Sequence, residues 1–288
     1  MLKKIGFTFL LLTLILVAQA QEELNFDKEI TQLNSLGKEM LGAKTDSLKF
    51  VINEQYKVLL KEVIEDKESF DYNFDALKTI SIQKTGELKI YNWTVPKING
   101  TYQYFAFVTL MQKKNGYNII ELTDKSATLK TPVNKTLMPK MWYGALYYKI
   151  IRHKKIGMNY YTLLGWDGNN NLTTKKIIDV IQVNNNGTIK IGAPIFKMAK
   201  KTQRRVIFEY FDNAIMSLKY HPKLDKIIFD RLVPNNSSLK GIYEYYGPAL
   251  KIFDALIAEN GKWIFEADTD IVLDKSVKDY MWNDPKKD

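Results

Sequence analysis

Cysteine is absent from all 288 residues, which excludes disulfides, thiolate zinc sites, iron–sulfur clusters, a cysteine nucleophile and a lipidated N-terminal cysteine together. Histidine is almost as scarce: His153 and His221 stand in neither H-x-x-x-H nor H-x-H spacing, which removes the usual multi-histidine zinc arrangement. Arginine is rare too. Only Arg152, Arg204, Arg205 and Arg231 stand among 42 basic residues, whereas bidentate reading of phosphate or guanine favours arginine. Lysine is dispersed along the chain, so the formal charge of +10 is no nucleic-acid footprint and no nucleic-acid partner is expected. Neither G-x-G-x-x-G nor G-x-x-x-x-G-K nor G-x-S-x-G occurs, and no cofactor is expected.

Long hydrophobic runs are missing with one exception. Ile5 to Val17 is apolar or weakly polar, follows Lys3 and Lys4, and leads into Ala18-Gln19-Ala20, the small-x-small geometry that signal peptidase accepts. A cleavable signal peptide at 1–20 is expected, leaving Gln21 first and placing the mature chain in the periplasm or outside the cell. A membrane anchor needs about 20 apolar residues, and this run stops at thirteen. Charged residues interrupt every later run, so no integral span is expected.

What is present is a change of period. From Glu22 to Glu68, Leu24, Ile30, Leu33, Leu36 and Leu41, then Leu48, Ile52, Leu59, Leu60, Val63 and Ile64, recur at helical spacing. Two amphipathic helices follow, broken between Gly42 and Asp46, with Lys49 on their charged face. After about Leu77 the period is two. Arg204–Tyr210, Ile215–Tyr220 and Lys226–Leu232 predict three adjacent antiparallel strands, and Ala145–Arg152 with Tyr160–Trp166 predict a hairpin. Further strands are expected at 88–93, 102–111, 118–123, 176–183, 251–258 and 262–267. Thr85-Gly86, Asn99-Gly100, Asn115-Gly116, Asp167-Gly168, Asn186-Gly187 and Asn260-Gly261 supply turns that a parallel α/β sheet would not use. The expected fold is α+β, mostly β: a helical hairpin packed on an antiparallel meander body, as sandwich, barrel or small propeller. Its parts are a leader (1–20), a helical segment (21–76), a β-rich body (77–275) and a polar tail (276–288).

The strings SFDYNFDALKTISIQKTGELKIYNW (Ser69–Trp93), GTYQYFAFV (Gly100–Val108), YYTLLGWDGNN (Tyr160–Asn170), RVIFEY (Arg205–Tyr210), MSLKY (Met216–Tyr220) and IFDRLVP (Ile227–Pro234) resemble an uncharacterised family of exported proteins from Bacteroidetes-type bacteria. The resemblance implies an envelope location and one coherent unit between Ser69 and Asp270. It carries no catalytic residues with it.

Three groups of residues are candidates for chemistry. Asp167, Asn169 and Asn171 have the spacing that opens a Ca²⁺ loop, although Leu172 and Ile178 stand where an EF-hand needs Gly and Glu; a turn closing a strand explains the same residues. Glu266, Asp268 and Asp270 alternate, with Asp274 beyond, and would gather a cation or raise one another's pKa, or else guard an edge strand. Tyr243, Tyr245 and Tyr246 precede Gly247-Pro248 and form the first choice for a binding surface among the clustered tyrosines, whose alternative use is cross-strand packing. His153 and His221 admit a Ser-His-Asp triad only without its usual motif. Asn-x-Ser/Thr sequons, among them those at Asn92, Asn99, Asn134, Asn171, Asn186 and Asn236, read as turn chemistry in an asparagine-rich chain. Two functions follow: a non-enzymatic envelope protein binding a glycan, a peptide or another envelope protein, or a periplasmic hydrolase using Glu209 or the 266–270 carboxylates as acid and base.

Overall fold

The computed structural model describes residues 26–270 apart from Asn115. The expected leader, Leu24, Asn115, Asp274 and the expected polar tail lie outside the described residues.

Helix α1 (Phe26–Gly42) buries Ile30, Leu33, Gly37 and Met40 at three- and four-residue steps, and α2 (Asp46–Glu65) buries Ile52, Tyr56, Leu60, Val63 and Ile64 along one face. The break falls where expected. Thr45 caps α2, its Oγ1 accepting the Leu48 N–H at 3.2 Å. Lys49 departs from the expected solvated face: it is only 8% exposed, and its Nζ donates to the Pro96 carbonyl at 2.7 Å. A lysine stem lies well along apolar surface when its ammonium reaches an acceptor at the rim. Leu41 and Leu48 are correspondingly displaced to the exposed side.

The chain then runs through β1 (Ser81–Thr85), β2 (Leu88–Pro96), β3 (Tyr102–Gln112), β4 (Gly116–Thr123), β5 (Leu146–Arg152), β6 (Tyr160–Asp167), β7 (Thr173–Val183), β8 (Ile189–Ile191), β9 (Phe196–Lys197), β10 (Thr202–Gln203), β11 (Val206–Phe211), β12 (Leu218–His221), β13 (Lys226–Pro234), β14 (Tyr246–Glu259) and β15 (Lys262–Glu266). These make three open sheets. Sheet I is β1-β2-β3-β4, sheet II is β11-β7-β6-β5 with β8 added beside β7, and sheet III is β10-β9-β15-β14-β13-β12. Every pairing is antiparallel except a short parallel contact of β15 with β9. No barrel closes.

Side-chain alternation explains the layering. Tyr91, Trp93, Val95 and Phe107 of sheet I pack under the helices, while Leu88, Ile90, Ala106 and Val108 face Leu163, Ile177 and Ile181 of sheet II. The second face of sheet II, with Leu164, Ile178 and Val180, packs on Ile227, Phe229, Leu256 and Trp263 of sheet III. Sheet II is therefore covered on both faces, which is why β6 and β7 are buried along nearly their whole length. The 145–152 and 160–166 hairpin forms as expected. Asn260 (φ 48°) and Gly261 (φ 77°) close β14 onto β15 in the two-residue turn whose left-handed backbone favours Asn-Gly.

The expected three-strand meander is corrected. β12 and β13 pair, but β11 joins β7 of sheet II instead, with Val206 opposite Ile178 and Phe211 opposite Thr173. The loop after β11 is tied to the start of β7, the Asp212 N–H donating to Leu172 O at 3.0 Å and Thr174 Oγ1 to Asp212 Oδ1 at 2.8 Å. A short polar loop has the same composition whether the chain turns back in one sheet or steps to the sheet facing it.

Candidate functional site

The tyrosines at 243–246 divide by role. A 3-10 turn at Tyr243–Tyr245 leads directly into β14, and the Asn235 N–H donates to the Tyr245 carbonyl at 2.9 Å. Tyr246 turns inward against the core, its hydroxyl accepting the Gly241 N–H at 2.9 Å, whereas Tyr243 and Tyr245 remain 47% and 40% exposed. The other clustered tyrosines go the way of packing: Tyr104, Tyr143, Tyr147 and Tyr161 are buried between sheets I and II.

Beyond Tyr246 the strand does something its composition conceals. Leu232 pairs with Pro248 and Asp230 with Phe253, so four residues, Ala249 to Ile252, oppose the single Arg231. Pro248 has no N–H for the ladder, and Lys251 adopts a left-handed φ of 58°. The extra residues bulge outward and leave Leu250 86% exposed, with Ile252 also exposed. Arg231 braces the base of the bulge: its guanidinium forms a two-point ion pair with Asp254 and a third contact to Asp268 at 2.8 Å. Asp268 in turn donates its N–H to Asp254 at 3.1 Å. Leu250 and Ile252 were not singled out by sequence. The signal that was available is Pro248 inside an apolar alternation, which demands an edge or a bulge.

Glu266 and Asp268 are thereby separated in function from each other. Glu266 Oε1 accepts from Lys226 Nζ and from Thr269 Oγ1, both at 2.7 Å, and the lysine bond holds its carboxyl below the usual glutamate range. That is the reverse of mutual repulsion. Asp268 belongs to Arg231, and Asp270 is exposed.

The Asp167, Asn169 and Asn171 oxygens diverge. Asp167 Oδ1 accepts from Tyr104 OH at 2.9 Å and from the Asn169 N–H at 2.8 Å, closing the turn after β6. Burial pushes its carboxyl up, with Lys175 opposing. Asn169 spends its amide on Thr173 (2.6 Å) and Glu209 (3.3 Å) and its oxygen on Lys175 (2.8 Å). Asn171 instead lies over Gly100, where any Cβ would collide with its carboxamide. Glu209 accepts from Thr173 Oγ1 at 2.8 Å beside Lys175. Among the described residues no group of three or more histidine or carboxylate side chains is arranged to hold a metal.

His153 has a carboxylate partner, Nε2 lying 2.6 Å from Asp225 Oδ1, but its Nδ1 accepts the Lys155 N–H at 3.2 Å. Both ring nitrogens are occupied, so no serine stands where a triad needs one. His221 closes β12. Three sequons prove to be turns of one design: Asn99, Asn186 and Asn236 each accept, at Oδ1, both the N–H and the hydroxyl of the Ser or Thr two residues on. Asn92 is fully buried.

Comparison of the chain with protein-family models, with curated proteins and with solved structures finds no match.

Proposed function

We propose that the protein is a non-enzymatic binding protein of the cell envelope, exported by its N-terminal leader, and that it docks another protein on the exposed surface formed by residues 242–252. The observation that carries this reading is Leu250, an aliphatic side chain lifted into solvent on a bulge that an arginine and two aspartates brace from behind. A braced, projecting apolar residue is suited to enter a recess on a partner, and its exposure has no benefit to the isolated fold. Ile242, Tyr243, Tyr245 and Ile252 extend the same segment. Aliphatic knobs favour a protein recess over a sugar, which would stack on flat rings ringed by hydrogen-bonding groups. Lys240 and Lys251 beside them suit an acidic rim on the partner.

The hydrolase reading has no comparable support. It asks for two carboxylates converging on a cavity, about 5–9.5 Å apart. Glu209, Glu266 and Asp268 each stand beside a cation, and line none of the cavities at residues 72–89, 87–185, 39–52 and 41–146.

Site-specific photo-crosslinking in the native host tests the proposal. A benzophenone side chain at Tyr245 is expected to trap one discrete protein adduct that Leu250→Asp removes, while the same probe at Ile98, exposed in the β2–β3 turn, traps none. Equal adducts from both positions, unaffected by Leu250→Asp, would rule the surface out.

A further inference from the structure

Of the four arginines, two are neutralised by carboxylates, Arg205 by Asp179 and Arg231 by Asp254 and Asp268. Arg204 donates to Thr136 at the surface. Arg152 differs from all three. It is half-buried at the end of β5, held on three sides, and has no carboxylate within ion-pair distance among the described residues. Its Nε donates to the Met158 carbonyl at 2.8 Å. Its guanidinium lies 5.3 Å from the centre of the Tyr161 ring. The third side is the β1–β2 turn: Gly86 comes so close that a Cβ there would sit 2.3 Å from Nη1, and its φ of 56° suits glycine besides.

The guanidinium so fixed lines a cavity of about 530 Å³. The cavity lies at one end of the stack, where the β1–β2 and β3–β4 turns of sheet I meet the β5–β6 turn and the end of β7 from sheet II. Lys113 and Lys114 stand on its rim with Glu87 as the opposing carboxylate, three cations against one anion. Tyr161 and Val183 add apolar wall, and the volume falls within the usual range for small-molecule sites. Tyr161 is itself anchored, its hydroxyl bonding the main chain of Glu87.

We infer that this crevice binds a small molecule carrying an oxyanion, carboxylate or phosphate, on an apolar body. The oxyanion accepts from the outer Nη edge of Arg152, the one planar donor pair in the cavity, and the lysines screen its charge from the rim. The apolar body lies on Tyr161 and Val183. Holding Nε and one flat face in place lowers the ordering cost that a flexible arginine incurs on binding. The site is remote in sequence from 242–252 and stands independently of the docking surface.

Titration of the full chain with benzoate, phenyl phosphate and benzyl alcohol, followed by NMR of the Val183 methyls and the Arg152 Nε–H, tests this. Saturable shifts with one or both anions, and binding of the neutral alcohol weaker by about tenfold or more, are expected. The tighter anion identifies carboxylate or phosphate as the preferred head. Arg152→Gln is expected to lose the response while keeping the unfolding midpoint near that of the parent. Lys114→Gln, which leaves the guanidinium packing alone, is expected to weaken anion binding severalfold and to make it less sensitive to salt. Shifts that never saturate, equal binding of the alcohol, or anion binding undiminished in Arg152→Gln and Lys114→Gln would overturn the inference.

Discussion

Arg205 donates through Nε to the Asp179 carboxylate at 3.0 Å, and neither side chain is exposed to solvent. The pair stands where β7 exchanges one neighbour for another: Val206 of β11 faces Ile178, Ile191 of β8 faces Ile181, and Asp179 falls in the gap. The gap leaves main-chain carbonyls to satisfy, and Arg205 reaches those of Pro132, Lys135 and Ile191. Tyr147 OH completes the carboxylate from the other side at 3.3 Å, itself accepting from Trp142 Nε1 at 3.0 Å. An edge that changes partners inside a two-sided core would otherwise hold orphaned polar groups.

Arg205→Met is therefore expected to cost about 3–5 kcal/mol, because Asp179 is left charged and buried without its partner. Adding Asp179→Leu should return much of that loss, since an apolar pair needs no solvation. Urea unfolding of the parent and the two variants measures both steps. A single-variant loss under about 1 kcal/mol would mean that water reaches the pair.

Asn92 performs a similar service between sheets I and II. Its carboxamide takes the Tyr147 N–H at 2.6 Å and gives a hydrogen to the Tyr147 carbonyl at 3.3 Å and to the Ser81 carbonyl at 2.8 Å, replacing a strand partner where β5 bulges. Asn92→Ala should destabilise by about 1–3 kcal/mol for the orphaned main-chain groups. Faster hydrogen exchange of the Tyr147 amide is the specific readout, and unchanged exchange there would refute the role.

How far the fold can be read in advance depends on whether a residue's partner is local. Thr45 and the Asn260-Gly261 turn act on neighbours in the chain, and both are legible from short strings. β7 carries Lys175, Lys176 and Asp179 among its apolar residues, so its composition shows neither that both its faces are buried nor what covers each. β11 was legible as a strand and not as a member of sheet II, since its pairing depends on an open edge of β7 supplied by residues about 30 positions away. Arg205, Asp179 and Lys49 look like surface charge until their carbonyl and carboxylate partners are in place. The bulge at 249–252 follows from the mismatch between Leu232–Pro248 and Asp230–Phe253, a property of two strands together.

Acid and base should move stability in opposite directions at two carboxylates. Asp167 is held above the usual aspartate range by burial, with the Asp124 charge adding to it. A folded pKa above the unfolded one gives a contribution that is full below the unfolded value and lost as pH rises through the folded value. Glu266, held down first by its Lys226 hydrogen bond and then by Thr269, contributes above the unfolded value and loses that contribution as pH falls through the folded one. The stability of the parent relative to Asp167→Asn should thus decline from acid towards neutral pH, while its stability relative to Glu266→Gln rises over the same interval. Urea unfolding at a series of pH values measures both slopes. Slopes of the same sign would contradict the assigned environments.

Leu250 supplies the sharpest contrast between stability and binding. A side chain in solvent has no packing to lose, so Leu250→Ser is expected to change unfolding free energy by no more than about 0.5 kcal/mol. Leu256, six residues on in the same strand and fully buried against sheet II, should cost about 2–5 kcal/mol on truncation to alanine. Arg231→Ala lies between: it releases Asp254 and Asp268 and loosens the base of the bulge while the core stays packed. If Leu250→Ser proves as costly as Leu256→Ala in the purified protein, residue 250 is buried in solution and its projection has no part in docking. If it is silent there and abolishes the photo-adduct from position 245, the exposed leucine serves the partner and not the fold.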